Sequence, residues 1–330
     1  MSPVAGRIIK FLVEAAMLFR NFFPRRDFIV KLLGIAAGML AGGFSRPFFR
    51  TLEAANGADG STISVITGKS LSKDSITLMV ESGFRQIGGI DRFIKKNMKV
   101  VIKPNIGWNS TPDKAHNTNP DLVEAVARMC VRRGAVVTIF DRSVNSARMT
   151  YRRSGILQAA QNAGASIEYV DSGRYKDVRV PGGIYVDSLP VYSGILEADF
   201  VINMPIAKHH SSSRLTLAMK NLMGVIGGNR GYYHGDIHSS IVDFAKTVKS
   251  DLVILDATRI LTAHGPNGGT PADVKELRTI VMGTNPVTVD AFAATLFNIQ
   301  PTSLRFLKIA AREGMGEINI DKMRILRASV

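Results

Sequence analysis

The sequence predicts an α/β fold: a mostly parallel sheet with helices on both faces, in Rossmann-like layers, with a small inserted hairpin. Three observations predict it. From Ser61 onward, short β-branched runs alternate with helix-periodic segments, the order expected when crossover helices cover a parallel sheet. The polar residues sit at the ends of the runs rather than inside them. Composition, at 45% hydrophobic and 21% charged with no low-complexity tract, belongs to a folded globular chain.

Taken in order, "TISVITG" (62–68) reads as a strand and "DSITLMVESGFRQIGGIDRFIKKN" (74–97) as a helix capped by Asp74. "KVVIKPN" (99–105) reads as a buried strand. The next helix has Asn119 as cap, Pro120 at its first position and Gly134 past its end, and leads into the strand "AVVTIFD" (135–141). A helix over about 153–163, a strand "SIEYVD" (166–171) and a hairpin-like insertion "VRVPGGIYVDSLPVY" (178–192) follow. "DFVINMPIAKHH" (199–210) is a strand running into a loop. The remainder gives a helix over about 239–248, a strand "DLVILDA" (251–257), a Gly/Pro loop (264–271), a strand "TIVMGT" (279–284) and a helix "PVTVDAFAATLFN" (286–298). In open α/β sheets ligands bind outside the carboxyl ends of the strands. Lys103, Asn105, Asp141, Lys208, His210 and Asp256 are therefore expected around one crevice.

Residues 1–60 read as a leader and linker, and 61–330 as one α/β domain, divisible into lobes at about 61–172 and 173–330. Arg25 and Arg26 precede Phe28 and a Gly/Ala-rich apolar run to Gly43 that contains Lys31. This has the form of a twin-arginine export signal, read by the export machinery. The run is short and polar for a spanning helix. "LEAANGA" (52–58) supplies the best cleavage region, near Ala55 or Gly57. The expected location is exported: periplasmic, or anchored on the outer side of the inner membrane. Membrane contact then runs only through an uncleaved leader.

The net charge of +15 favours anionic partners. Nucleic acid is disfavoured among them, because no run of four Lys/Arg occurs and aromatic residues are not interleaved with the basic ones. An anionic small molecule fits better. The one cysteine, Cys130, lies at helical spacing with Leu122, Val126 and Met129 and reads as core. One cysteine cannot hold a cysteine-ligated iron-sulfur cluster within this chain.

Five of the six histidines fall between residues 209 and 264. His234 and His238 have the i, i+4 spacing that puts two imidazoles on one helix face. With His210 they form a candidate divalent-metal or proton-transfer set, and Asp243 and Asp256 are candidate partners that orient those rings. Lys208, Lys220 and Asn221 complete the candidate catalytic group. Lys103 and Asn105, held by the Pro104 turn, are candidate anchors for a cofactor or anion. Gly227, Gly228, Gly268 and Gly269 would let the backbone approach it or move as a lid.

At these residues the chain resembles the domain-of-unknown-function family numbered 362. The shared blocks, in one order, are "VVIKPN" (100–105), "PIAKHH" with Lys208 and His210, "AMKNLMG" with Lys220, Asn221 and Gly224, and "YYHGDIHSSIVD" with His234, His238 and Asp243. "LVILDA" with Asp256, "HGPNGGTP" with Gly265, Pro266, Gly268, Gly269 and Pro271, and "TNPVTVDAFAA" with Asp290 complete them. The resemblance implies an α/β domain with no settled reaction. Many members look ferredoxin-fused and cysteine-rich, which implies redox roles. This chain lacks those cysteines, and it carries His264 where the pattern has a small residue. Together these readings point to an exported protein with a His/Lys/Asn-lined crevice, performing metal-assisted, acid-base or redox chemistry on an anion. The alternative is a non-catalytic periplasmic binding or accessory protein for an anionic metabolite or a metal.

Overall fold

Strands that read as unbroken apolar runs lie in a sheet buried on both faces, as such runs require. The structure is a computed structural model that describes residues 60–330. The expected export signal and cleavage region lie outside the described residues. The described residues form one compact unit. Among them no helix is long and apolar enough to cross a membrane.

The first half runs β1 (Thr62–Thr67), α1 (Lys73–Gln86), β2 (Lys99–Pro104), α2 (Pro120–Arg132), β3 (Val136–Ile139), α3 (Ala147–Arg153), α4 (Ile156–Ala163) and β4 (Ser166–Ile167). A hairpin follows, β5 (Tyr175–Arg179) and β6 (Ser188–Tyr192), then the short α5 (Ser193–Leu196). The second half runs β7 (Phe200–Met204), β8 (Ile206–His210), β9 (Arg214–Thr216), α6 (Ala218–Asn221), α7 (Arg230–Tyr233) and α8 (Ile237–Thr247). It ends with β10 (Leu252–Leu261), β11 (Val274–Gly283), α9 (Pro286–Thr295), α10 (Arg305–Arg312) and β12 (Arg324–Ser329).

The sheet order is β12-β1-β11-β10-β7-β2-β3-β4, with β8 paired to β10 and β9. The stretch from β10 to β4 is parallel, and β11 is antiparallel to both of its neighbours. Alternate side chains feed two cores. Val101, Val201, Val253 and Val281 pack with Ile241, Phe244, Val289 and Phe306 of α8, α9 and α10. Ile102, Ile202, Ile254 and Ile280 pack on the other face with Met79, Phe84, Val126 and Cys130 of α1 and α2. Each such buried aliphatic contributes about 1.5–3 kcal/mol. The mostly parallel α/β class is therefore as expected, and Cys130 lies in the core.

Several boundaries differ from expectation, each for a local reason. α1 stops at Gln86 instead of Asn97, because Gly88 and Gly89 take φ of 101° and 86°. Its cap is Ser72, which accepts from the Ser75 amide at 3.3 Å, and Asp74 sits in the first turn. The helix expected over 153–163 is two helices, divided at Gly155 with φ 78°. β4 is only two residues long, whereas β10 and β11 are each longer than expected, ten residues apiece. The C-terminal α10 and β12 carried no sequence expectation; β12 closes the sheet by running parallel to β1.

Candidate functional site

The site begins where two neighbouring strands part. β2 and β7 pair in register up to Pro104 opposite Met204. Pro205 then interrupts the strand, and its continuation β8 pairs with β10, Asp256 opposite Ile206. The chain after β2 crosses outward to β3, while β7 leads toward β10, so this is the switch point at which a doubly wound sheet opens a crevice. Thr118 stitches the parting: its hydroxyl donates to the Met204 carbonyl at 2.7 Å and accepts from the Asn105 amide at 2.8 Å.

A polar network fills the crotch. The Lys103 ammonium, fully buried, donates to Asp141 Oδ1 at 2.7 Å, the Pro104 carbonyl at 2.8 Å and Asn221 Oδ1 at 3.2 Å. Asp141 also accepts from the Ile106 amide at 2.6 Å. Asn221 accepts from Asn105 Nδ2 at 3.0 Å and donates to Asn203 Oδ1 at 2.8 Å. Gly224 lies so close that a β-carbon there would sit 1.8 Å from Asp141 Oδ1 and 2.7 Å from Lys103 Nζ. That requirement is steric and accounts for the glycine without any need for flexibility. Burial pulls the Lys103 amine down from its ordinary value, and Asp141 opposes the shift.

Above this network is a cavity of about 410 Å³, lined by Asn105, Lys208, His210, Lys220, Arg230 and His234 among others. Lys208 donates to Asn105 Oδ1 at 3.2 Å and to the His116 carbonyl. Burial first, then Lys220 and Lys103, bring its amine down to about 7. Lys220 sits in α6, whose first amides are clamped by Asp290: Ala218 at 2.6 Å and Met219 at 2.9 Å. Burial, with Arg230 adding, brings Lys220 down to about 7 as well. Arg142 and Arg230 line the same cavity and were not anticipated from sequence, although Arg142 directly follows a predicted strand end. Arg142 is occupied in holding the glycine-rich segment, donating to the Ile226 carbonyl at 2.8 Å and the Gly228 carbonyl at 3.0 Å.

The histidines divide. His210 Nδ1 accepts from the amides of Ser212 at 3.1 Å and Ser213 at 3.4 Å. A nitrogen that accepts carries no proton, so the neutral ring holds its hydrogen on Nε2. Burial, then Lys220 and His234, push His210 down to about 2 and keep it neutral. His234 Nδ1 contacts the Arg230 carbonyl at 2.7 Å. A carbonyl only accepts, so Nδ1 carries that hydrogen and Nε2 of the neutral ring is a free acceptor. The two rings stack with centroids 6.1 Å apart. One neutral imidazole thus offers a donor and its neighbour offers a base.

The metal set His210, His234 and His238 is not assembled. α7 ends at Tyr233 and α8 starts at Ile237, so His234 and His238 share no helix and the i, i+4 rule does not apply across the break. His238 stacks on Phe306 at 6.3 Å and does not line the cavity. Among the described residues no group of three His, Cys, Asp or Glu could hold a metal ion. A divalent cation would also meet Lys208, Lys220 and Arg230 with only the already paired Asp141 to offset them.

The other expected residues scatter in the same way. Asp243 does not orient an imidazole; it accepts from the amides of Ile184, Tyr185 and Val186 at 2.8–3.1 Å and fixes the hairpin turn. Asp256 lies within β10 and accepts from the amides of Asn119 at 2.7 Å and Thr258 at 2.9 Å, tying α2 to the sheet. Gly227 lies against the Tyr175 ring and Gly228 beside Tyr233 and Pro190, and neither lines the cavity. Gly268 and Gly269 face a neighbouring cavity with His116, whose Nε2 contacts the Gly268 carbonyl at 3.0 Å. From that loop, Pro266 and Asn267 reach the main cavity. His264 is 73% exposed beside Asp273.

A thylakoid-associated protein of Synechocystis sp. is 25% identical to this chain over 264 residues, covering 77% of this chain and 79% of that protein. The lactate racemase apoprotein from Thermoanaerobacterium thermosaccharolyticum is similar with a TM-score of 0.44 at 11% identity. That similarity covers 70% of this chain and 56% of the racemase, so the chain spans little more than half of it. A protein from Thermotoga maritima is similar with a TM-score of 0.38 at 10% identity, over 70% of this chain and 60% of that one. The blocks that meet around the cavity, from Lys103 to Asp290, fall within residues 100–295, which match a single family model. The chain therefore belongs to the family described as Domain of unknown function (DUF362).

Proposed function

We propose that the cavity at the sheet's switch point binds a small organic anion and performs acid-base chemistry on it. One observation carries this reading. Lys208 and Lys220 are buried beside the same cavity, and the carboxylate lining it is already committed to Lys103. Burying positive charge without compensation costs several kcal/mol, and perturbed groups of this kind concentrate at functional sites. An anionic ligand supplies the missing charge. His234 Nε2 is the base or acid acting on it, and His210 Nε2–H is a fixed donor toward a developing oxyanion.

Thermal-shift titration of the protein with succinate, malate and glycerol phosphate tests the reading. At least one of these should raise the melting temperature with increasing concentration. The rise should fade as pH climbs through about 7, where the two amines lose their protons. Absence of any rise at millimolar ligand, or a rise untouched by Lys208→Met, would overturn it.

Two further elements belong to the same proposal. Arg25, Arg26 and the weakly apolar run after them support export by the twin-arginine route, with a periplasmic location and contact with the membrane through the leader. The single cysteine, Cys130, buried in the core, supports reading the chain as a family member without a cysteine-ligated iron-sulfur cluster of its own.

A further inference from the structure

Three lysines converge on the site, and they differ in what their amines hold. Lys103 has three acceptors and Lys208 has two. Lys220, only 7% exposed, has no hydrogen-bond acceptor and no ion-pair partner among the described residues. Its backbone is nonetheless fixed, by Asp290 at the start of α6 and by the Asn221 network beside it. A rigidly placed buried amine with no partner, facing a cavity, is the arrangement of a nucleophile and not of a structural cation. Two more polar atoms on residues lining the cavity are also unpartnered: Thr216 Oγ1 and Arg230 Nε. Both atoms are enclosed in the wall and are polar groups left uncompensated beside the cavity.

We propose that Lys220 forms an imine with the carbonyl carbon of a 2-oxo carboxylate held in this cavity. The inference rests on the anion-site reading above and names its substrate class. The Nζ lone pair attacks the carbonyl carbon and forms the C–N bond while the carbon–oxygen π pair moves onto oxygen. That oxygen leaves as water, carrying the two hydrogens of the amine, and a C=N bond remains. No oxidant or reductant enters. His210 Nε2–H donates to the carbonyl oxygen as charge builds there, and His234 Nε2 relays the amine proton. With its amine brought down to about 7 by burial, Lys220 carries the free lone pair in a large share of molecules near neutrality.

The full chain is incubated with pyruvate, and separately with 2-oxoglutarate, reduced with borohydride, and measured by intact mass and peptide mapping. One reduced adduct on the peptide containing Lys220 is expected, lost in Lys220→Arg and retained in Lys176→Arg, a change at an exposed lysine outside the cavity. Lactate and 2-hydroxyglutarate, which have no carbonyl to attack, serve in parallel thermal-shift titrations. Stabilisation by the hydroxy acids with no adduct from either oxo acid overturns the imine and leaves the anion site standing. Neither stabilisation nor adduct overturns both. An adduct spread over surface lysines, or undiminished in a folded Lys220→Arg protein, also overturns the imine.

Discussion

Lys220 carries a cost that the rest of the molecule tolerates. Its folded-state pKa of about 7 lies below the ordinary 10.5, so between those values the unfolded chain binds more protons than the folded one. Stability from this group therefore rises with pH across that window, and the penalty is complete below about 7. Lys220→Met should raise the melting temperature most below that point, by a few kcal/mol and about 2–4 °C for each. The advantage should shrink steadily toward 10.5. Thermal melts of the two proteins across pH check this: a lower melting temperature in the variant, or a pH-independent difference, would show that the ammonium is compensated in the free protein. The same substitution should abolish stabilisation by anions. A residue retained for packing would lose stability on replacement and leave ligand response intact, so the two readouts move in opposite directions only for a functional lysine.

At the scale of elements, buried carboxylates act as clamps on main-chain amides. Asp243 fixes the hairpin turn, Asp256 fixes the start of α2, Asp290 fixes α6, and Asp141 fixes the turn after β2 while pairing with Lys103. Gly224 is the tightest point of this scheme, since a methyl group would displace the Asp141–Lys103 pair. Gly224→Ala should cost about 3 kcal/mol, at the upper end for overpacking, and should weaken anion binding by shifting Asn221. Denaturant unfolding measures the first, and a loss under about 0.5 kcal/mol would place the glycine among ordinary surface-like positions. The strand-end rule places Lys103 and Asn105, at the close of β2, because position along a strand decides which end a side chain reaches; Lys208 and His210 also reach the cavity, but from β8, a strand where the sequence predicts a loop. It failed for Asp256, because β10 runs on to Leu261 and leaves that residue mid-strand. It failed differently for His238: local spacing suggests a shared helix face, but the break between α7 and α8 turns the two rings toward different neighbours. Which amide a buried aspartate meets depends on contacts some 60 to 140 residues away in sequence, as in Ile184 with Asp243 and Asn119 with Asp256, and no short window contains them.

For the whole molecule, the site depends on a sheet assembled from both halves of the chain: Lys103 and Asp141 come from one, Lys208, Lys220 and Asn221 from the other. The cavity therefore exists only after global folding, and a partly folded chain does not bring these lysines together. A route that moves folded proteins suits such a site, because folding and any loading can be completed before export. Arg25 and Arg26 of the proposed signal precede the compact unit in sequence. Arg25→Lys combined with Arg26→Lys keeps the charge and changes only the motif the receptor reads. The doubly substituted protein should accumulate in the cytoplasm, as followed by fractionation. Purified from there, it should retain the full anion-dependent rise in melting temperature. Normal export of the variant would remove the twin-arginine assignment while leaving the site untouched; cytoplasmic protein without the thermal response would instead mean that the compact unit needs its final compartment to complete the cavity.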